Sequence, residues 1–202
     1  MITARPSVTI IIPAYNAEKT IAAAIEAALA QVYAAAIELI VIDDGSTDRT
    51  AEIIRRYPTV RYFYQPNAGP ASARNLGARH AAHHVLCFTD ADCQPHRDWV
   101  ALLVAGFYAE DIGAVAGSYG IANPGSVLAQ VVHFEILFRH TYLMPDHPQA
   151  FGSYNVAILR DVFEAVHGFS TDYRRASGED NDLSYRILNS GKKIFFARQA
   201  RV

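Results

Sequence analysis

The first half of the sequence alternates short apolar runs with segments of helical periodicity, and this alternation restricts the fold more than any other feature. Each run is rich in β-branched or aliphatic residues and predicts a buried strand. Short connections between the runs are typical of a parallel sheet covered by helices on both faces. The sequence therefore predicts an α/β fold. The four runs are 8–12, 39–42, 60–64 and 85–88.

Helices are predicted between these strands. Asn16 is a suitable N-cap for the first helix, because its side chain can accept from a free backbone N–H of the first turn. Pro70 is well placed to open the third helix, since proline is favoured at the first helical position. The predicted helices cover 16–32, 46–56, 70–83 and 98–110, and the apolar face of the first carries Ile21, Ile25, Leu29 and Val32.

The second half is less regular. Strands are predicted over 113–121, 152–158 and 193–197, and helices over 126–144, 161–166 and 178–189. The segment 126–144 is apolar over a broad face, which favours packing in the core; an interfacial helix near a membrane or a lipid acceptor is the alternative. We expect one domain over 1–202, with a nucleotide-binding half over 1–110 and an acceptor and catalytic half over 111–202.

Bulk properties exclude several classes of protein. A net charge of −2 over 202 residues argues against a nucleic-acid binder. The sequence has neither a secretory leader nor a run of 18 apolar residues, so we expect a cytoplasmic protein.

Cys87 and Cys93 are expected to be reduced. No Gly-x-Gly-x-x-Gly motif follows the first strand, which disfavours a dehydrogenase, and no glycine-rich phosphate loop supports a nucleotidyltransferase.

Polar residues follow each of the four predicted strands. In open parallel sheets, ligands bind outside the carboxyl ends of the strands, so these residues predict one shared crevice. Asp90 and Asp92 project to the same side of an extended chain, and such a pair suits Mg²⁺ or Mn²⁺ with phosphate and water as further ligands. A solvated acidic turn is the alternative. The strand-end residues are Pro13, Ala14, Tyr15, Asp43, Asp44, Asn67, Asp90, Ala91 and Asp92.

Five segments carry motifs that occur together in one enzyme family. They are Ile-Ile-Pro-Ala-Tyr-Asn at 11–16, Val-Ile-Asp-Asp-Gly-Ser-Thr-Asp at 41–48, Asn-Ala-Gly-Pro-Ala-Ser-Ala-Arg-Asn-Leu-Gly at 67–77, Thr-Asp-Ala-Asp at 89–92 and Gly-Glu-Asp-Asn-Asp-Leu at 178–183, with Arg186. In order and spacing they resemble the family 2 glycosyltransferases over almost the whole chain. The resemblance implies a GT-A fold, which is a Rossmann-like, mostly parallel central sheet flanked by helices, with a smaller acceptor-side region.

The resemblance also implies an inverting transfer from a nucleotide-sugar donor, most often a UDP-sugar, with Mg²⁺ or Mn²⁺. The acceptor would be a glycan or a lipid-linked sugar of cell-surface polysaccharide synthesis. The implied roles are base binding for Pro13, Ala14 and Tyr15; the uracil imide for Asp44, with Asp43 as the alternative; further nucleotide contacts for Asn67, Arg74, Asp90 and Ala91; metal binding for Asp92 with Asp90; and the general base for Asp180, with Glu179 beside it.

Two further expectations concern the acceptor side and the chain end. Tyr154 and Asn155 are candidates for the border of the acceptor site. Trp99 is expected to pack beneath the acidic loop, with a wall of the acceptor site as the alternative. Family members commonly continue beyond the last predicted strand, so we expect a C-terminally truncated chain. A nucleotide-sugar binding module without turnover is therefore the alternative to an enzyme.

Overall fold

The computed structural model describes residues 5–121, 125–173 and 178–202. Within these residues, seven strands form one sheet in the order β3-β2-β1-β4-β6-β5-β7. Helices flank the sheet, which confirms the predicted α/β class. The strands are β1 Val8–Ala14, β2 Ile37–Asp43, β3 Arg61–Tyr64, β4 Val85–Thr89, β5 Ile112–Ser118, β6 Asn155–Leu159 and β7 Lys193–Arg201.

Strand direction brings the ends of distant segments to one edge of the sheet. The first four strands are mutually parallel, as predicted. β6 is antiparallel to both β4 and β5, so β5 again runs in the direction of β4, and β7 is parallel to β5. The carboxyl ends of β1 to β5 and of β7 therefore share one edge with the first residue of β6.

The helices occupy the predicted places but are mostly shorter than predicted. The first one begins later than expected, because Asn16 has φ of 48° and its Oδ1 accepts from the backbone N–H of Thr47 at 2.8 Å. Asn16 therefore connects two loops by a hydrogen bond, and the prediction of a helix cap there is wrong. The helices are α1 Ile21–Leu29, α2 Thr50–Ile54, α3 Pro70–His80, α4 Trp99–Ala105, α5 Val127–Phe138, α6 Arg160–Ala165 and α7 Glu179–Asn189; a π-helical turn, Arg139–Leu143, continues α5.

The core lies on both faces of the central strands. All seven residues of β1 are buried, and α3 packs directly on this strand. A methyl group on Gly77 of α3 would lie 2.4 Å from Cγ2 of Ile11, so glycine permits the close approach of helix and sheet. This contact fixes α3, and with it the side chain of Arg74, against the centre of the sheet.

Helix α5 contradicts the core-packing interpretation of segment 126–144. None of its described residues is buried, and Leu128 and Val127 are 74% and 75% exposed. Its apolar side chains therefore lie on the surface of the described chain. Across the described ranges, no helix combines the length and apolarity that crossing a membrane requires.

Trp99 and Asn155 are core residues rather than parts of an acceptor site. Trp99 is fully buried, and its Nε1 donates to Oδ1 of Asn155 at 2.7 Å. The amide of Asn155 donates to the carbonyl oxygens of Ser118 and Ala200. Because the hydrogen bonds of this 1% exposed side chain join β5, β6 and β7, the prediction that Asn155 borders the acceptor is wrong.

Candidate active site

A cleft of about 750 Å³ opens at the edge where the carboxyl ends of the strands meet. Its size is within the usual range for small-molecule sites. It brings together strand-end residues that lie far apart in the sequence, as predicted from the parallel sheet. The lining residues are 13–20, Asp44, Asp48, Asn67, Gly69, Pro70, Arg74 and 90–92.

Asp44 organises one wall of the cleft. Its carboxylate, 3% exposed, accepts hydrogen bonds from Nε2 of Gln65 at 2.6 Å and from the backbone N–H groups of Ala68 and Gly69, each at 2.9 Å. Asn67 donates its side-chain amide to the Asp44 carbonyl. Because the carboxylate already accepts three hydrogen bonds, it has little capacity to accept another from a nucleobase. These hydrogen bonds hold the loop before α3 in place.

Asp43 lies behind the wall. It is 1% exposed and is absent from the described residues that line the cleft. It accepts from the backbone N–H of Ser46 and from the hydroxyl of Tyr62, both at 2.9 Å. Burial and this hydrogen bond raise the pKa of Tyr62 to about 12. Asp43 thus shapes the turn after β2 and ties it to β3.

Two loops are cross-linked at the mouth of the cleft. Besides the Asn16 contact with Thr47, the N–H of Ala17 donates to the hydroxyl of Thr50 and the N–H of Glu18 donates to Asp48. The sequence interpretation missed this network, although the polar run after β2 was a signal for it. It also missed Lys19, an exposed cation among the lining residues.

Arg74 is a buried cation between the two halves of the site. It is 3% exposed; its Nη2 donates to Asp90 at 2.6 Å, and its Nη1 lies 3.8 Å from Oε1 of Glu179. Within the described residues, Nε and Nη1 have no hydrogen-bond partner. Buried donors without partners are rare, and a guanidinium favours anionic ligands such as phosphate. Arg74 also links the cleft to the first turn of α7.

Asp90 and Asp92 offer carboxylate oxygens in the cleft. Asp92 is exposed, and the side chain of Asp90 is 33% exposed with one oxygen bound to Arg74. Among the described residues, no group of three or more His, Cys, Asp or Glu side chains gathers at one point. Two carboxylates beside open space fit a hard cation that takes its remaining ligands from phosphate and water.

Asp180 is held by its own helix turn and by the loop before β6. Its Oδ2 accepts from the backbone N–H of Ser153 at 3.0 Å. Ser184, one turn later, accepts from the N–H of Phe151 and donates to the Asp180 carbonyl. Oδ1 of Asp180 is buried and lacks a partner in the described parts of the chain. Burial raises the pKa of Asp180, while hydrogen bonding by the backbone and side chain of Ser153, and then the charge of Arg74, oppose the rise.

Tyr119 and Tyr154 stand beside Asp180. Their rings stack at 4.4 Å between centroids, with 19° between planes. Burial raises the pKa of both hydroxyls, and the negative charge of Asp180 adds to the rise. Tyr154, the candidate for the border of the acceptor site, thus lies near the predicted base. Tyr119, at the end of β5, was not predicted.

Two family models match this chain. The family model described as glycosyl transferase family 2 matches residues 9–166. A second, described as the N-terminal domain of galactosyltransferase, matches residues 132–201. The chain belongs to glycosyltransferase family 2.

Two proteins that are similar to this chain, one in sequence and one in structure, are described as glycosyltransferases. The probable glycosyltransferase YdaM of Bacillus subtilis is 30% identical over 95% of this chain and 49% of its own length. The mannosyltransferase PcManGT from Pyrobaculum calidifontis, solved with GDP-Man and Mn²⁺, superposes with a TM-score of 0.77 at 25% identity, covering 98% of this chain and 56% of that one.

A third similarity concerns the fold alone. GalNAc-T7, solved with UDP, GalNAc and Mn²⁺, gives a TM-score of 0.76 at 19% identity over 98% of this chain and 43% of that one. The chain thus spans about half the length of the proteins that it resembles. These similarities confirm the GT-A-like fold expected from the motifs.

Proposed function

We propose that the chain transfers a sugar from a nucleotide-sugar donor to an acceptor hydroxyl with inversion at the anomeric carbon. The observation that carries this proposal is the contact of Arg74 with both Asp90 and Glu179, which joins the strand-end cleft to the helix turn of Asp180. In the reaction, the acceptor oxygen bonds to the anomeric carbon as the bond to the diphosphate breaks. The hydroxyl proton passes to a carboxylate, and the nucleoside diphosphate leaves.

The nucleotide would lie against 13–15, where Tyr15 is 53% exposed and able to stack on a base. Uridine is our first candidate, and the GDP-mannose bound by PcManGT makes guanosine the second. Asp44 stays the predicted contact for a uracil imide; since its carboxylate already accepts three hydrogen bonds, we expect it to act mainly through the loop that it holds. Asn67 and Ala91 complete the predicted contacts.

Asp92, with Asp90, would hold Mg²⁺ or Mn²⁺. Such an ion, when bound, offsets the charge that grows on a leaving diphosphate. Arg74 supports the same task from the protein side, because its Nε and Nη1 are buried donors without partners in the described chain. These donors are fixed before the reaction begins, which is the arrangement that stabilises developing charge most effectively.

Asp180 is our candidate general base. Its partnerless Oδ1 would accept the hydrogen bond of an acceptor hydroxyl, and its raised pKa makes it a stronger base than an exposed aspartate. Ser153 fixes the other oxygen, so the carboxylate is oriented in advance. Glu179, 3% exposed and near Arg74, is better placed to balance that cation than to meet an acceptor.

A panel of UDP- and GDP-sugars tests the proposal, each titrated by calorimetry with and without Mn²⁺ and assayed for release of nucleoside diphosphate. We expect one sugar to bind only with the metal and to release its diphosphate. Binding without release under all conditions would favour the alternative, a binding module. Release of sugar 1-phosphate, with the nucleoside monophosphate group passing to pyrophosphate or water, would indicate nucleotidyl transfer instead.

We also propose that α5 lies on the inner surface of a membrane and that the acceptor is a glycan or a lipid-linked sugar. The support is the exposure of apolar side chains along this helix, including Phe134 at 64%. Interfacial helices bind membranes through such faces. Co-sedimentation with vesicles should fall when Leu128 and Phe134 are both changed to glutamine. Equal sedimentation of the variant and the native protein would contradict the membrane contact.

A further inference from the structure

A second pocket, of about 200 Å³, lies beside the first turn of α7. Its polar side chains are His140, Tyr154 and Asn181, and its apolar surface includes Met144 and Phe196. None of the residues that line the donor cleft contributes to it. It is therefore a separate compartment on the side of the sheet formed by β5, β6 and β7.

We propose that this pocket binds the acceptor through an uncharged sugar ring, with Asn181 and His140 forming hydrogen bonds to its hydroxyls. The inference rests on the proposed function, because it takes Asp180 as the base that the acceptor must meet. It names two residues that determine acceptor specificity, and it states the chemical class of the ring that they recognise.

Position is the first support. Asn181 follows Asp180 in the same helix turn, and it is exposed rather than packed. Gly152 and Tyr154 line the pocket on either side of Ser153, whose backbone N–H holds Oδ2 of Asp180. Residues on either side of Ser153, and the residue after Asp180, thus line the pocket, while Asp180 itself is not among the described lining residues. A sugar in the pocket would have a hydroxyl within reach of the helix turn that carries the base.

The chemistry of the lining is the second support. Among the described residues that line the pocket there is neither lysine nor arginine, so none of these residues compensates the charge of a phosphate. A purely apolar chain would leave the amide of Asn181 and the imidazole of His140 without partners. A sugar ring, with hydroxyls at its rim and C–H groups on its faces, matches both the polar and the apolar surface.

His140 is prepared for this role by its neighbours. Its Nδ1 lies 2.8 Å from Oγ of Ser118, and its ring stacks on Tyr119 at 5.8 Å with 13° between planes. Burial and the nearby charge of Arg139 lower the pKa of His140, which favours the neutral ring. The contact with Ser118 fixes the ring and leaves Nε2 for a ligand. A neutral imidazole there suits a hydroxyl.

The shape of the pocket depends on Gly152. A methyl group at this position would meet Cε1 of Tyr154 at 2.0 Å, so the tyrosine ring lies directly against the glycine backbone. Tyr119 covers another part of the same ring. Tyr154 is thereby fixed as a wall, and Asn181 and His140 are left as the two groups that can select among sugars.

Binding of methyl glycosides tests the inference directly. Native protein, saturated with UDP and Mg²⁺, is titrated with the methyl pyranosides of glucose, galactose, mannose and N-acetylglucosamine, and binding is followed by saturation-transfer NMR. We expect at least one to bind saturably and Asn181→Ala to weaken it tenfold or more. Asn189→Ala, at the exposed far end of the same helix, is the matched control and should bind as the native protein does.

Two further variants separate recognition from folding. His140→Gln retains a polar side chain but loses the ring, and Ala150→Leu fills the pocket without removing a polar group. Both should weaken the glycoside, and thermal unfolding reports whether each is folded. Equal glycoside affinity in native, Asn181→Ala and Ala150→Leu proteins would overturn the inference, as would failure of every glycoside to bind while UDP binds. Failure of UDP itself would instead count against the proposed function.

Discussion

At the scale of single residues, the site is defined by a buried cation that lies between two carboxylates. Arg74 faces Asp90 on one side and Glu179 on the other, and its position on α3 is fixed by the contact of Gly77 with Ile11. The sequence predicted Arg74 as a nucleotide contact but could not show its carboxylate partners, because Glu179 is more than 100 positions away. Only the fold brings these charges together.

Arg74→Met should destabilise the protein by about 3 kcal/mol, because it removes a buried cation whose charge is paired with the carboxylates of Asp90 and Glu179. The same change should weaken the binding of a nucleoside diphosphate. Equilibrium unfolding in urea and calorimetry measure the two effects. Arg79→Met, at an exposed position of the same helix, is the control and should alter neither. A stable Arg74→Met protein would contradict the assigned ion pairs.

Asp180→Asn separates catalysis from stability. Burial raises the pKa of Asp180, so the ionised carboxylate is less favourable in the folded protein than in the unfolded chain. The contribution of Asp180 to stability is fully present below its pKa in the unfolded chain. It is lost as pH rises through the higher pKa of the folded protein. At pH 7 the neutral asparagine should therefore unfold at no lower temperature than the native residue.

The same substitution should reduce transfer by about 10²–10⁴-fold, the usual contribution of a general base. In the native enzyme, activity should fall on acidification through a pKa above the ordinary value of 3.8, since only the ionised form accepts a proton. A pH–rate profile measures this limb. An unchanged rate in Asp180→Asn, or a profile flat to pH 4, would remove Asp180 from the role of base.

At the scale of helices and strands, apolar periodicity predicted burial correctly where an element packs on the sheet and incorrectly where it does not. The first four strands were predicted to within two residues at each end, and two of them, β1 and β4, are buried on both faces. Helix α5 has the same apolar character, yet its side chains remain exposed. The pattern identifies a helix, but a sequence does not reveal whether a partner surface exists.

Gly77→Ala tests the contact between α3 and the sheet. Alanine favours the helix by up to about 1 kcal/mol, but its methyl group would lie 2.4 Å from Cγ2 of Ile11. Overpacking of this kind typically costs about 1–3 kcal/mol, so we expect a net loss of stability in urea unfolding. In the double variant with Ile11→Ala the loss should be smaller than the sum of the two single losses. Strict additivity would show that the two side chains do not compete for space.

At the scale of the whole molecule, the direction of the strands decides which loops meet. The sequence predicted one crevice from the parallel first half, and Asp44, Asn67, Arg74 and Asp92 do line one cleft. It could not predict that β6 is inserted antiparallel between β4 and β5. This insertion places the loop before β6 at the carboxyl edge of the parallel strands, where Ser153 reaches Asp180.

Binding of metal and nucleotide should therefore stabilise the whole domain together. A ligand that binds only the native state at 100 times its Kd adds about 2.7 kcal/mol, which raises Tm by roughly 5–10 °C in a domain of this size. We expect this rise for UDP with Mn²⁺, a much smaller one for UDP alone, and neither in Asp92→Asn. Asp98→Asn, an exposed aspartate in the same loop, is the control and should retain the full shift. Asp92 is exposed, and its one weak contact within the described residues is with the thiol of Cys93 at 3.9 Å, so its replacement should not unfold the protein. A full rise of Tm in Asp92→Asn would place the metal elsewhere.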